Sequence, residues 1–275
     1  MINYSRNQIA YAKGPGVRAL LFTALTFVSF MLAMLAVAEL GRRIGVAKIA
    51  QDPEGLPKGA GAVEAAVFAL LGLLLAFEFS GAASRFEARR HLITAETNAI
   101  GTAYLRIDLL AADAQPEMKA MFRRYLDSRL ETYRNTIDRA ATKASLARDV
   151  AIQGQIWTRA VREVLRPEAP TQAAMLFLPA LNEMIDITTT RQMATLNHPP
   201  LIIFLLLVGI SLVSALLVGY DASVNKGRNW LHTFVFAAIL SLTTYVIVDL
   251  EFPRLGLIRI DSADQVLVEL RDIMR

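Results

Sequence analysis

Four apolar runs, Ala19 to Ala38, Ala60 to Ala83, Leu201 to Tyr220 and Trp230 to Val248, alternate with polar chain along the 275-residue sequence. Each has about the 20 residues that a helix needs to cross a hydrocarbon layer of about 30 Å. The first, third and fourth contain no Asp, Glu, Lys or Arg, whereas the second carries Glu64 and Glu78. Between the second and third runs the pattern becomes amphipathic. Met118, Phe122, Tyr125, Leu126, Leu130, Tyr133 and Ile137 fall at three- and four-residue steps, as do Ile152, Ile156, Trp157, Val161, Val164 and Leu165. Such steps put one apolar face on each helix, and core packing is the expectation for every aromatic there. Pro116, Pro167, Pro170 and Pro179 divide this stretch into helical pieces.

The pattern predicts an all-α protein with four transmembrane helices and a large helical cytoplasmic insertion between the second and third spans. Residues 1–83 hold an N-terminal tail and the first pair of spans, and 84–199 the helical region. Residues 200–250 hold the second pair, and 251–275 a tail. Ala36-Val37-Ala38 has the small residues of a signal-peptide cleavage site. The uncharged run before it exceeds the 7–15 residues usual there, so it reads as a retained span.

Charge sets the orientation. The turnaround from Glu39 to Gly59 has Arg42, Arg43, Lys48 and Lys58, and the loop from Asp221 to Asn229 has Lys226 and Arg228. These are six of the 29 Lys and Arg residues; the rest lie in the tails and the central segment. Basic residues stay on the cytoplasmic side, which predicts both termini and the helical region on the cytoplasmic side of the membrane. Tyr220 and Trp230 suit an interfacial aromatic belt on the outer side.

Composition narrows the chemistry. A mean hydropathy of +0.39 with 20% charged residues fits a membrane unit joined to a water-facing one. The absence of cysteine removes disulfides, thiolate nucleophiles and thiolate metal sites. His91, His198 and His232 have no metal-site spacing, and neither metal nor cofactor is expected. The segment from Ser84 to Pro200 has 16 basic and 13 acidic residues, too balanced for a nucleic-acid surface.

The carboxylates of the second span are the main candidates for function. Fourteen helical residues separate Glu64 from Glu78, a rise of about 21 Å with a rotation of only about 40°. Val67, Leu71 and Leu74 lie between them on the same face. In an oligomer this stripe would give two carboxylate rings around a hydrophobic constriction, the elements of a cation pathway. Arg85, Arg89 and Arg90 follow at the inner mouth and would pull selectivity the other way. The alternative is that Glu64 is interfacial and Glu78 points into the bundle. Two acids about 21 Å apart cannot share a proton or flank one bond, and no nucleotide or zinc-protease motif appears, so an enzyme is not expected.

Toward the C-terminus, Pro253 stops the last span and Gly256 eases a change of direction. Ser262 and Gln265 form a capping box opening a short helix to Met274. Ala215 and Gly219 have the small-x-x-x-small spacing that permits close helix contact.

Two stretches carry a family resemblance. Phe79-Ser80-Gly81-Ala82-Ala83-Ser84-Arg85-Phe86, with Arg89-Arg90 and Glu96-Thr97-Asn98-Ala99-Ile100-Gly101-Thr102-Ala103-Tyr104, resembles the bestrophin-like family of bacterial membrane proteins, as does Val248-Asp249-Leu250-Glu251-Phe252-Pro253-Arg254-Leu255-Gly256-Leu257-Ile258. At the motif positions Asn98, Gly101, Asp249, Glu251, Pro253 and Gly256 the resemblance implies structural roles. Bestrophins proper are pentameric ion channels with four spans, cytoplasmic termini and a second span lining a hydrophobic neck. The resemblance therefore implies a homo-oligomer, a pentamer by analogy, with inorganic ions and the lipid bilayer as partners. The chain lacks the bulky neck pattern and the run of acids that holds calcium in animal bestrophins. The expected function is an oligomeric channel, with a non-conducting membrane scaffold or sensor that binds a protein partner as the alternative.

Overall fold

In a computed structural model, described over residues 17–51, 60–134, 139–224, 230–261 and 263–274, the chain is helical, with no strand among these residues. The α-helices are α1 Val17–Gln51, α2 Ala60–Leu105, α3 Gln115–Arg134, α4 Arg139–Val164, α5 Thr171–Leu196, α6 Leu201–Asp221, α7 Trp230–Glu251 and α8 Gln265–Ile273. A 3-10 turn, Arg106–Leu109, follows α2. Two compact units result. A span unit comprises Gly14–Phe86 and His198–Arg259, and a helical unit comprises Glu87–Asn197 and Ile260–Arg275.

Four helices are long and apolar enough to cross a membrane. The core of the span unit is aliphatic and includes Met34, Leu71, Leu207, Ala237 and Ile247. Leu25, Leu32, Leu70, Phe77, Leu205 and Ile239 are exposed, the apolar exterior that lipid requires. Helices α1 and α6 approach so closely that a Cβ on Gly219 would fall within 3.0 Å of the Ala38 backbone, and one on Gly41 within 3.0 Å of Leu216. The small-residue spacing at Ala215 and Gly219 thus marks a real seam, where missing side chains let backbones pack by dispersion. Phe68 on α2 meets Phe236 on α7 edge-on, with centroids 6.0 Å apart.

The boundaries differ from the apolar runs in an instructive way. Helix α1 continues past Ala38 to Gln51, so the described part of the expected Glu39–Gly59 turnaround is helix. Glu39 pairs there with Arg42 and Arg43 at three and four residues' distance, contacts available only on a helical surface. Lys58, Lys226 and Arg228 lie outside the described residues. Helix α2 has 46 residues and so measures about 69 Å, more than twice the hydrocarbon thickness. Its apolar first half alone is enough to span such a layer, and its second half is charged.

In the helical unit, Met118, Phe122, Tyr125 and Leu126 are fully buried, as the periodicity of α3 requires; Ile137 lies outside the described residues. The stripe expected on α4 splits. Ile156 and Val164 are buried, but Trp157 is 37% exposed and Leu165, just beyond the helix, 74%. Each residue turns the helix by about 100°, so Ile156 and Trp157 cannot share one narrow core face. Trp157 is thus not a core aromatic. Pro179 does not divide the chain either, because it lies inside α5. Helix α8 opens at Gln265, with Ser262 outside the described residues. The preceding Asp264 makes no side-chain cap and turns to Arg191 instead.

Candidate functional site

The stripe on α2 faces its own bundle. Leu71 is 3% exposed within the aliphatic core, and Leu74 packs partly buried against that core. Glu64, Val67 and Glu78 are half-buried, and neither carboxylate has a hydrogen-bond or ion-pair partner among the described residues. Val63, Leu70, Leu73 and Phe77, elsewhere around the helix, are exposed.

The three expected inner-mouth arginines are engaged in three different ways. Arg85 donates from Nε to Glu251 Oε2 at 2.8 Å. Arg89 is buried and donates to the carbonyls of Ala194 and Asn197 at the C-terminal end of α5, where a cation suits the helix dipole. Arg90 is exposed and pairs with Glu87 on its own helix.

The two acids ending α7 diverge, as positions two apart on a helix must. Fully buried Glu251 bridges Arg85 and His198, whose Nδ1 lies 2.7 Å away while its ring stacks on Phe252. Fully buried Asp249 turns back on the chain. Its Oδ2 accepts from the Tyr245 hydroxyl at 2.7 Å, from Leu257 N–H at 2.9 Å and from Ile258 N–H at 2.8 Å. Tyr245 Oη also lies 2.9 Å from Thr23 Oγ1 on α1. Pro253 and Gly256 are buried in the turn these acids hold. Gly101 faces Leu270 of α8, and Asn98 is exposed.

The helical unit contains a buried ionic cluster that sequence alone did not assemble. Glu96 on α2 accepts from Arg129 on α3 at 2.7 Å, from Tyr133 at 2.7 Å and from Arg191 on α5. Arg129 also reaches Asp149 on α4 at 3.0 Å, and Arg191 reaches Asp264 at 2.8 Å. Ser128 and Thr132 complete the shell of Asp149. The Arg191 guanidinium lies 3.6 Å from the Tyr133 ring centroid, a cation–π contact. Burial alone would push the Glu96 carboxyl up, but Arg129 and Arg191 outweigh it and hold the group below the usual carboxylate range. Burial and the Glu96 charge push the Tyr133 phenol well up, keeping it a neutral donor. Every charge in the cluster is paired, which clamps five segments together and leaves no free nucleophile. The sequence signal available was local: Arg129 and Tyr133, and Tyr245 and Asp249, are each four apart on one helix face.

Among the described residues, no group of three or more His, Cys, Asp or Glu is placed to hold a metal ion. The chain matches no family model, no curated protein and no solved structure.

Proposed function

We propose that the protein is a membrane scaffold, in which four spans anchor a cytoplasmic helical unit that binds protein. The carrying observation is the outward face of α4. The helical unit satisfies its buried charges internally, yet leaves Val150, Trp157 and the adjoining Leu165 exposed in line. Three large apolar side chains exposed on one helix and just past its end support a protein-binding surface there. The aliphatic core around Leu71 supports an anchoring role, since the face bearing it is filled within one subunit. A photoactivatable residue in place of Trp157, irradiated in intact membranes, should cross-link to protein; adducts to lipid only, or none, would exclude this reading.

A second reading, an oligomeric ion channel of bestrophin-like type, draws on Glu64 and Glu78. Half-buried carboxylates in a span, with no pairing among the described residues, suit ions entering between subunits. Purified protein in a planar bilayer tests it. Current in the wild type that changes ion preference in Glu78→Gln supports conduction, and silence across pH and voltage supports the scaffold.

A further inference from the structure

One end of the helical unit gathers the C-terminal ends of α2 and α4 with the N-terminal ends of α3 and α5. Arg106, just past α2, donates to the carbonyl of Leu176 on α5 at 2.6 Å. Arg159 of α4 pairs with Glu117 in the first turn of α3, and Arg166 beyond α4 pairs with Asp113 just before α3. Four large apolar side chains are exposed at this end: Leu105, Leu165, Met175 and Leu176. Pro179, inside α5, lacks the N–H that would bond the Met175 carbonyl one turn back.

The ion pairs at this end share one asymmetry. Asp108 pairs with Lys119, Glu117 with Arg159, and both Asp113 and Glu168 with Arg166. In every one the acid is the outer member. The four acidic side chains are 58–67% exposed, their three cationic partners only 26–30%. The two members of Arg148–Glu131 and of Arg90–Glu87, by contrast, are about equally exposed. Arg106 is half-buried and engaged with Leu176, and Arg162 adds a single exposed base against the four acids.

Charge decides what such a surface accepts. The phosphates of nucleic acid or of lipid headgroups meet exposed carboxylates there, and a second copy docked end to end would set acid against acid. We infer that this end of the unit binds a basic amphipathic segment of another protein. The apolar side chains of that segment lie on Leu105, Leu165, Met175 and Leu176, and its Lys or Arg residues reach the four acids. A carboxylate has two oxygens and accepts several donors, so each acid keeps its own cation inside and takes a second from outside. The charges select the partner, and the apolar anchors hold it. This inference rests on the helical unit being a protein-binding module and names the chemistry of what it binds.

Full-length protein in nanodiscs of phosphatidylcholine, which carries no net charge, is titrated with two fluorescent helical peptides. Both have the same leucine face; one carries lysines on its other face and one carries glutamates. Anisotropy, corrected with empty nanodiscs, should show the lysine peptide bound several-fold more tightly, with the difference shrinking as salt is raised. Glu117→Lys combined with Glu168→Lys should invert the preference, a gain of binding that misfolding does not explain. Met175→Ser should weaken both peptides alike. Equal affinity for the two peptides, or a preference that the double reversal leaves unchanged, overturns the inference. A photoactivatable residue in place of Met175 that joins only to lipid or to a second copy in intact membranes overturns it too. If Trp157 cross-links to protein while the peptide preference fails to invert, this inference falls and the scaffold reading stands.

Discussion

Gly256 lies against the carboxylate of Asp249 so closely that a Cβ there would come within 3.0 Å of Oδ1. The carboxylate cannot swing aside, because its other oxygen holds Tyr245 Oη and the N–H groups of Leu257 and Ile258. The turn after the last span is therefore built around one acid and one missing side chain. Gly256→Ala should destabilise the protein by about 1–3 kcal/mol through overpacking. Gly61→Ala, where a Cβ meets nothing within 4 Å, is the control and should be neutral or mildly stabilising in thermal unfolding in detergent.

The α1–α6 seam makes a similar contrast within one helix. Gly219→Ala would drive a methyl group into the backbone of Ala38, which cannot give way as a side-chain end would. Gly209 on the same helix has open space around it. Gly219→Ala should lower the unfolding temperature by several degrees, whereas Gly209→Ala should leave it unchanged or raise it by virtue of the better helix former. Equal effects would mean the two helices do not pack as closely as described.

Glu96 sets a pH dependence. Its folded-state pKa is depressed below the unfolded value of about 4.3, so the native state favours the charged form. The resulting stability is fully present above that unfolded value and is lost as pH falls through the folded pKa. Glu96→Gln should cost about 3–5 kcal/mol at pH 7, since it leaves Arg129 and Arg191 buried with a partner removed. Chemical denaturation of both proteins should show the gap narrowing in acid; a constant gap from pH 7 to pH 3 would exclude the ionic account.

Much of the architecture was legible in the chain because it follows from length and period. Four runs of about 20 apolar residues give four candidate spans, and three- and four-residue steps give α3 and its buried face. The turn after α7 was legible because Pro253 cannot continue a helix. The cluster around Glu96 was not, because its members are separated by 33 residues in one pair and 95 in another. No local rule selects Arg191 over the other arginines as the partner of Glu96. The facing of α2 was illegible for a related reason. Apolar residues surround this helix on all sides, so its sequence does not say which face meets protein and which meets lipid or another subunit.

That facing yields the last prediction. Leu71 and Leu73 are two residues apart and chemically identical, but Leu71 is buried while Leu73 is 53% exposed on the far side of α2. Leu71→Ala should cost about 2–5 kcal/mol, the range for a large-to-small change in a packed core. Leu73→Ala should cost well under that, because lipid rearranges to fill the space. Single cysteines sharpen the contrast, since there is no native thiol to obscure them. A water-soluble thiol reagent should leave Leu71→Cys unmodified in the folded protein and modify it only after unfolding. Rapid labelling of Leu71→Cys in intact membranes, with Leu71→Ala nearly neutral, would mean that this face lines water and not the interior of a subunit. The channel reading would then displace the scaffold.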